Sequence, residues 1–350
     1  MTILQDIKEK GHEEVSFFQD AKTGLVAIIG VHSTVLGPSL GGCRVRDYAT
    51  LEDALYDVLR LSEAMTFKNS LCGINFGGGK SVIVKDATFQ EGRKEFFASF
   101  GKCVESIGGR YITAEDMGTS VEDMNSIMLS TKYVAGRDPK IGGAGDPSPY
   151  TAKGCFLGIQ ACLEEVFGEA KFSDRHITIQ GIGNVGWNLT KLLREVGVKI
   201  TVADTDAARL TKAKEEFGVE VVAPDKIHTI KCDIFAPCAV GGIINRESVP
   251  QLQCRIIAGG ANNQLRDREV ELLLKERDIL YAPDFAINSG GVILVADDFE
   301  PGGFTPSRVN ERVSKIGETV RRVIREARTT GKLAGDIAVR LAKERIASGK

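Results

Sequence analysis

The chain has 350 residues, with 45 Lys and Arg against 47 Asp and Glu, for a formal charge of −2. This length predicts two domains, and the near-neutral balance removes the electrostatic case for nucleic acid or an anionic membrane as the main partner. Hydrophobic residues at 43% and charged residues at 26% describe a globular chain with one excess, glycine at 39 positions, which implies backbone in tight turns or close to ligands.

No apolar run approaches the ~18 residues a membrane helix needs. Met1 to Glu14 carries no signal-peptide core, and the eight cysteines form no Cys-x-x-Cys pair. A reducing, cytoplasmic setting without a structural metal is expected.

In chain order, Leu25 to His32 reads as a buried strand and Gly37 to Gly42 as a loop around Pro38. Apolar residues at helical spacing from Leu51 to Met65, with Thr50 as N-cap, predict a helix. Ser81 to Val84 reads as a strand after a triple glycine. Phe89, Phe96, Phe97, Phe100, Val104 and Ile107 predict a second amphipathic helix that stops at Gly108-Gly109, before a short strand from Arg110 to Thr113.

Residues 136–149, with four glycines and three prolines, have no period and mark a boundary. Beyond it, strands and helices alternate. Helices are predicted at Thr151–Val166, Val185–Val196 and Ala207–Phe217. Strands are predicted at His176–Gln180, Lys199–Ala203, Val219–Val222, Asp233–Ala236 and Arg255–Ala258. That alternation predicts an α/β fold with a doubly wound parallel sheet. Ser307–Thr329 and Gly335–Ala347 close the chain as amphipathic helices.

Gly181-Ile182-Gly183-Asn184-Val185-Gly186 matches G-x-G-x-x-G between the apolar strand HITIQ and the helical NLTKLLREV. Gly181 makes the turn, Gly183 lets backbone approach a pyrophosphate, and Gly186 permits close helix–strand packing, while the helix N-terminus offers free N–H groups. Asp204 ends the next strand, where an acidic side chain accepts hydrogen bonds from the ribose hydroxyls and repels a 2′-phosphate. Thr205-Asp206 supplies no adjacent arginine, so NAD is expected over NADP.

Gly77-Gly78-Gly79-Lys80-Ser81 is not a P-loop, because Ile74 stands where that motif needs glycine. Three glycines could instead let the backbone pass close to a substrate and deliver Lys80 into a cleft; an ordinary surface turn reads the same way.

The segments LGPSLGGCR (36–44), MTFKNSLCGINFGGGKSVI (65–83), RYITAEDMGTS (110–120), GDPSPYTAKG (145–154), GIGNVG (181–186), IFAPCAVGGIIN (234–245), AGGANNQL (258–265) and APDFAINSGGVI (282–293) resemble the amino-acid dehydrogenases acting on glutamate, leucine, phenylalanine and valine. The leucine/valine/phenylalanine branch is the nearest. The resemblance implies an NAD-dependent, reversible oxidative deamination of an L-amino acid to a 2-oxo acid and ammonia by a homo-oligomer. Two domains are implied, with the active site in the cleft between them. Residues 1–135, joined by the C-terminal helix from about 331 to 350, would bind substrate and mediate assembly; residues 140–330 would form the Rossmann-type NAD domain.

By the same resemblance, Lys68 is the substrate-carboxylate anchor, Lys80 the catalytic base and Asp116 the carboxylate exchanging protons with the substrate nitrogen. A lysine that takes a proton from water near neutral pH must be made less basic by burial or a neighbouring cation, for which Lys68 is a candidate. Gly41 and Gly42 would approach the substrate carboxylate through their backbone. Asn262 and Asn288 would lie near the nicotinamide and the substrate amino group, Thr151 near the nicotinamide amide, and Ala239 against the cofactor; loop capping is an alternative use of the asparagines.

Leu40, Ala114, Val292 and Val295 resemble the family's aliphatic pocket, which favours branched-chain substrates. Valine and leucine are not told apart, because a methylene changes binding by only ~1–3 kcal/mol. Leu294, Cys43 and the segment 297–308 depart from the leucine dehydrogenase pattern, which keeps aromatic amino acids as an alternative. Two other readings use the same cofactor fold, a catalytically silent NAD-binding regulator and a 2-hydroxy-acid dehydrogenase. The latter usually needs a histidine acid/base, and none of the four histidines lies in such a motif.

Overall fold

A computed structural model describes residues 3–85 and 92–349; Phe89, placed above on the second helix, lies outside them. The first unit opens with α1 (Ile3–Lys10), β1 (Glu14–Asp20), β2 (Leu25–Ser33), β3 (Ser39–Arg46) and α2 (Leu51–Leu71). It continues with β4 (Gly77–Val84), α3 (Arg93–Ser106), β5 (Tyr111–Glu115) and α4 (Val121–Met128). The strand order is β1-β2-β4-β3-β5, with β2 antiparallel to β1 and β4, and β3 parallel to β4 and β5.

Strand side chains alternate between faces, and here both faces are covered. Leu25, Ala27, Ile29 and Val31 pack with Phe97, Phe100 and Val104 of α3 and Met124 and Ile127 of α4. Ile28 and Val82 turn the other way, onto Ala54, Leu55 and Val58 of α2. A strand buried on both sides reads as an unbroken apolar run, which is why β2 is plain in the sequence.

Three local expectations need correction. The stretch Gly37–Gly42 is not a loop throughout, since β3 starts at Ser39 and carries Gly41 and Gly42 inside the sheet. β4 begins at Gly77, so the triple glycine is strand. α2 is capped as foreseen, with the Thr50 side chain accepting the Asp53 N–H, but it runs on to Leu71. Its last turns bury polar residues. The Asn69 Nδ2 donates to the Leu40 and Gly77 carbonyls at 3.1 and 2.6 Å, and the Ser70 hydroxyl donates to the Ala342 carbonyl at 2.7 Å.

The second unit contains α5 (Ser148–Phe167), β6 (His176–Gln180), α6 (Asn184–Glu195), β7 (Lys199–Ala203), α7 (Ala207–Phe217) and β8 (Glu220–Val221). There follow β9 (Ile234–Pro237), β10 (Ile256–Ile257), α8 (Glu269–Glu276), β11 (Leu280–Tyr281) and α9 (Asp284–Ile287). The remaining helices are α10 (Gly290–Asp297), α11 (Pro306–Ser314), α12 (Ile316–Thr330) and α13 (Ala334–Ser348). The single helix foreseen over Ser307–Thr329 is therefore two. The sheet is wholly parallel, in the order β11-β10-β9-β6-β7-β8. Chain order reverses between β6 and β9, which opens a crevice at the carboxyl ends of these strands.

The first unit comprises residues through Pro147, Val292–Val309 and the tail from Ala342; the second comprises Ser148–Gly291 and Asn310–Leu341. Relative to the division drawn from the sequence, residues 292–309 move to the first unit and the C-terminal contribution begins at Ala342 rather than near 331. The physical reason is polar anchoring that the amphipathic period does not encode. Arg345 donates to the Ile74 carbonyl at 2.9 Å, and Arg308 clamps the fully buried Asp297 at the two ends of the segment 297–308. Among the described residues, no helix is long and apolar enough to cross a membrane.

Candidate active site

The predicted site residues fall into two groups, one in each unit. In the first unit, β3 and β4 run side by side in register, with Leu40 opposite Gly78 and Cys43 opposite Ser81. β5 lies on the other side of β3, with Gly42 opposite Ala114. Alternation puts Leu40, Gly42, Arg44, Lys80 and Ala114 on the face that carries Val82, the face covered by α2. Leu40 is fully buried and Ala114 nearly so.

Lys80 is 6% exposed, and its ammonium forms an ion pair with Asp116, the residue just past the end of β5. The charged group it touches is thus a carboxylate. A second cation joins on the same oxygen: the Arg44 Nε lies 3.3 Å from Asp116 Oδ2. Burial would raise the Asp116 carboxyl, but Lys80 and Arg44 outweigh it and hold the group well below the usual carboxylate range. Arg44 is a site residue the sequence reading missed. It lies in the segment LGPSLGGCR, where the sequence reads as a loop and the structure has β3, so nothing in the sequence marks its charge as buried.

The glycines explain themselves by what a methyl would strike. A Cβ at Gly42 would stand 2.7 Å from Asp116 Cβ, and one at Gly41 would stand 1.8 Å from the Gly79 carbonyl oxygen. A Cβ at Gly78 would meet the Thr66 backbone nitrogen of α2 at 2.0 Å, and one at Gly79 would meet the Ser39 hydroxyl at 2.6 Å. The triple glycine therefore lets α2 and β3 close upon β4, and it is buried strand rather than an ordinary surface turn.

Lys68 sits half-buried in the last turn of α2, three residues beyond Met65, which reaches to 3.2 Å of the Gly41 Cβ position. Val292 and Val295, at 8% and 7% exposure, are one turn apart on α10, so they share a helix face. Val295 lies 3.7 Å from the Gly136 Cβ position. Two of the departures, Leu294 and Cys43, are fully buried; burial pushes the Cys43 thiol up to about 12, so it stays protonated.

In the second unit the glycine loop joins β6 to α6. Gly181 has φ +93°, and a Cβ there would press on Ala239 at 2.6 Å, so only glycine fits. A Cβ at Gly186 would meet the Gly181 carbonyl oxygen at 1.9 Å. Gly183 differs: its Cβ position has open space, with Arg209 Nη1 at 3.8 Å as the one atom nearby. Gly183 is also the N-cap of α6 and offers no side chain to the helix N-terminus. Asn184 and Val185 begin that helix, and Val185 packs to 2.6 Å of the Gly260 Cβ position.

An uncapped helix N-terminus, approached over a glycine with free space, fits a dinucleotide pyrophosphate. Asp204 follows β7, its Oδ2 accepting the Ile182 N–H at 2.6 Å and its Oδ1 the Asp206 N–H at 2.9 Å. It thus ties the glycine loop to the turn before α7. The expectation that no arginine lies near needs qualification, since Arg209 pairs with Asp206 at 3.2 Å and reaches towards Gly183.

Asn262 and Asn288, 26 residues apart in sequence, are joined by a hydrogen bond of 2.7 Å from Asn288 Nδ2 to Asn262 Oδ1. Asn288 also donates to the Gly260 carbonyl at 3.2 Å. Thr151 lies near the start of α5, its backbone nitrogen 3.0 Å from the Gly290 Cβ position. Among the described residues no cluster of His, Cys, Asp and Glu is arranged to hold a metal ion.

Comparison with known proteins matches residues 12–133 to the Glu/Leu/Phe/Val dehydrogenase dimerisation domain. Residues 142–212 and 202–349 match the glutamate/leucine/phenylalanine/valine dehydrogenase domain. The chain is 42% identical to leucine dehydrogenase of Thermoactinomyces intermedius, over 99% of this chain and 94% of that protein. It is 41% identical to phenylalanine dehydrogenase of the same organism, over 98% and 94%. The crystal structure of L-tryptophan dehydrogenase from Nostoc punctiforme superposes with a TM-score of 0.84 at 37% identity, covering 99% of both chains. This Rossmann-type unit and these relatives are those of nicotinamide-dependent enzymes. The chain belongs to the glutamate/leucine/phenylalanine/valine dehydrogenase family and is an amino-acid dehydrogenase, an oxidoreductase.

Proposed function

We propose that the protein is an NAD-dependent dehydrogenase of branched-chain L-amino acids, the class of leucine and valine. Amino acid, NAD and water give the 2-oxo acid, ammonia and NADH, reversibly. The observation that carries the reading is the buried Lys80–Asp116 ion pair, on the same sheet face as Leu40 and Ala114. The first two supply proton-transfer groups, the second two an apolar wall.

Lys68 binds the substrate carboxylate through its ammonium, and the backbone at Gly41 and Gly42 approaches the same group. Asp116 accepts a proton from the substrate amino group, leaving an amine lone pair that assists loss of hydride from the α-carbon. The nicotinamide, when bound, takes up that hydride. Lys80, once its ammonium has released its proton to solvent, removes a proton from the water that adds to the resulting C=N carbon, and Asp116 returns a proton to the nitrogen as it leaves as ammonia. Leu40, Ala114, Val292 and Val295 select the side chain by size.

Gly181, Gly183, Asn184, Val185 and Gly186 hold the pyrophosphate, with Ala239 against Gly181. Asp204 takes the ribose hydroxyls and favours NAD. Asn262, Asn288 and Thr151 flank the nicotinamide. The family's dimerisation domain supports a homo-oligomer.

The test is kcat/KM for a panel of branched-chain and aromatic L-amino acids with NAD and NADP side by side, on the parent, Lys80→Ala and Asp204→Ala. Best turnover of leucine or valine with NAD, lost in Lys80→Ala while NADH still binds, supports the reading. A preference for phenylalanine or tryptophan overturns the substrate class. Unchanged preference for NAD in Asp204→Ala overturns the ribose role, and a parent that binds NADH yet turns over no amino acid is a regulator.

A further inference from the structure

The site does not end at Asp116. Arg44 runs on from Asp116 to Asp57 of α2, with its Nη1 3.2 Å from Asp57 Oδ2. Asp57 in turn accepts the Tyr48 hydroxyl at 2.9 Å and, on its other oxygen, the Arg60 Nη2 at 2.9 Å. The charges alternate outward from Lys80 through Asp116, Arg44 and Asp57 to Arg60. Arg44 and Asp57 are each 7% exposed. A buried ion pair is weak evidence of stabilisation, because desolvation offsets much of its attraction, so its presence beside reacting groups invites another explanation.

We propose that Arg44 and Asp57 are positioning residues that orient Asp116 and set the proton affinity of the Lys80–Asp116 pair. The proposal rests on the reaction given above. Lys80 and Arg44 meet the same oxygen of Asp116, Oδ2. A planar guanidinium fixed at its far end by Asp57 restrains the carboxylate more than a flexible ammonium can. Lys80 and Asp116, joined in an ion pair, are the unit that moves protons in the proposed reaction. Arg44 adds a positive charge that favours loss of a proton from this unit, and Asp57 tempers that charge from behind.

Other ionisable groups surround the pair. Cys43 and Tyr111 come from the neighbouring strands, and burial keeps both protonated. Asp123 of α4 is held by Arg93. Glu115, next in sequence, is pushed up to about 7 by desolvation and then by the negative charges of Asp146, Asp123 and Asp116.

The experiment measures kcat and kcat/KM against pH for the full chain carrying Arg44→Met, Arg44→Lys, Asp57→Asn or Asp116→Asn. Each variant is first checked for folding by circular dichroism. Loss of Arg44 should move the acid limb of the profile to higher pH by about one unit. Asp57→Asn should move it to lower pH, and Arg44→Lys should fall between the parent and Arg44→Met. Limbs that stay fixed, or move the same way in Arg44 and Asp57 variants, overturn the proposal.

If Arg44→Met does not fold, Arg44→Lys and Asp57→Asn carry the comparison, and their limbs must still separate in opposite directions. The ordering must also persist in a Glu115→Gln background; its disappearance there assigns the effect to Glu115 and overturns the role of Arg44 and Asp57. Turnover by Asp116→Asn sinks the proposed proton-transfer assignment itself. An inactive Asp116→Asn beside unmoved limbs sinks the positioning role alone.

Discussion

Gly42 and Asp116 occupy one space: a methyl on the first would lie 2.7 Å from the Cβ of the second and 2.8 Å from the Glu115 carbonyl oxygen. The glycine on β3 is therefore what allows the carboxylate beyond β5 to reach Lys80. Gly42→Ala should push Asp116 aside by a few tenths of an ångström or more and lower kcat about 10²-fold. NADH affinity should stay as it was, because the glycine loop lies in the other unit. Steady-state kinetics with NADH titration by fluorescence checks this, and parental kcat would show that the crowding is relieved elsewhere.

The two outer glycines of the cofactor loop and the middle one should respond differently to alanine. Gly181→Ala combines a left-handed φ of +93° with a collision against Ala239, so it should destabilise the fold by about 2 kcal/mol or more. Gly183→Ala meets open space in the protein and should leave the melting temperature unchanged. It should weaken NADH about tenfold, because the methyl stands where a phosphate approaches. A thermal melt and an NADH titration on each variant separate the two effects.

Asn288 donates to two oxygens, Asn262 Oδ1 and the Gly260 carbonyl, at a position only 3% exposed. Asn288→Asp turns the donor into a buried acceptor facing two acceptors. A loss of about 2 kcal/mol in unfolding free energy is expected, together with weaker NADH binding. Denaturant unfolding of both proteins measures the first effect, and equal midpoints would show that the pair has no structural weight.

Stability should also depend on pH through His12 and His32, whose rings meet edge to face at 4.8 Å. Desolvation, helped by the neighbouring His32, lowers His12 from 6.5 to about 4; desolvation also lowers His32. Their neighbours Lys10, Glu13 and Glu63 modulate these shifts. The unfolded chain therefore binds more protons as acid is added, so this stabilisation is complete above about pH 6.5 and drains away towards pH 4. With partial exposure taken into account the His12 contribution is about 1 kcal/mol. Melting curves across that window should show His12→Gln falling less steeply than the parent.

Much of the cofactor unit was legible from residues alone because its signals are local. HITIQ, the glycine loop and the helix that follows are contiguous; Gly181 answers its own φ of +93° and Gly186 the Gly181 carbonyl five residues back. Asp204 was legible for the same reason, at the end of the next strand. Lys80 and Asp116 were named from the motifs of a resembling family; the spacing of 36 residues between them carries no sign that they touch.

Tertiary structure decided the rest. Strand order placed β3 between β4 and β5, which brings Gly42, Lys80 and Asp116 together, and only that order reveals Arg44 and Asp57 behind them. It also decided which unit takes residues 292–309 and the tail from Ala342, since an amphipathic helix shows that it has an apolar face but not which core will cover it. Local backbone chemistry is written in neighbouring residues; the pairing of distant charges is written in sheet register, which a single sequence does not display.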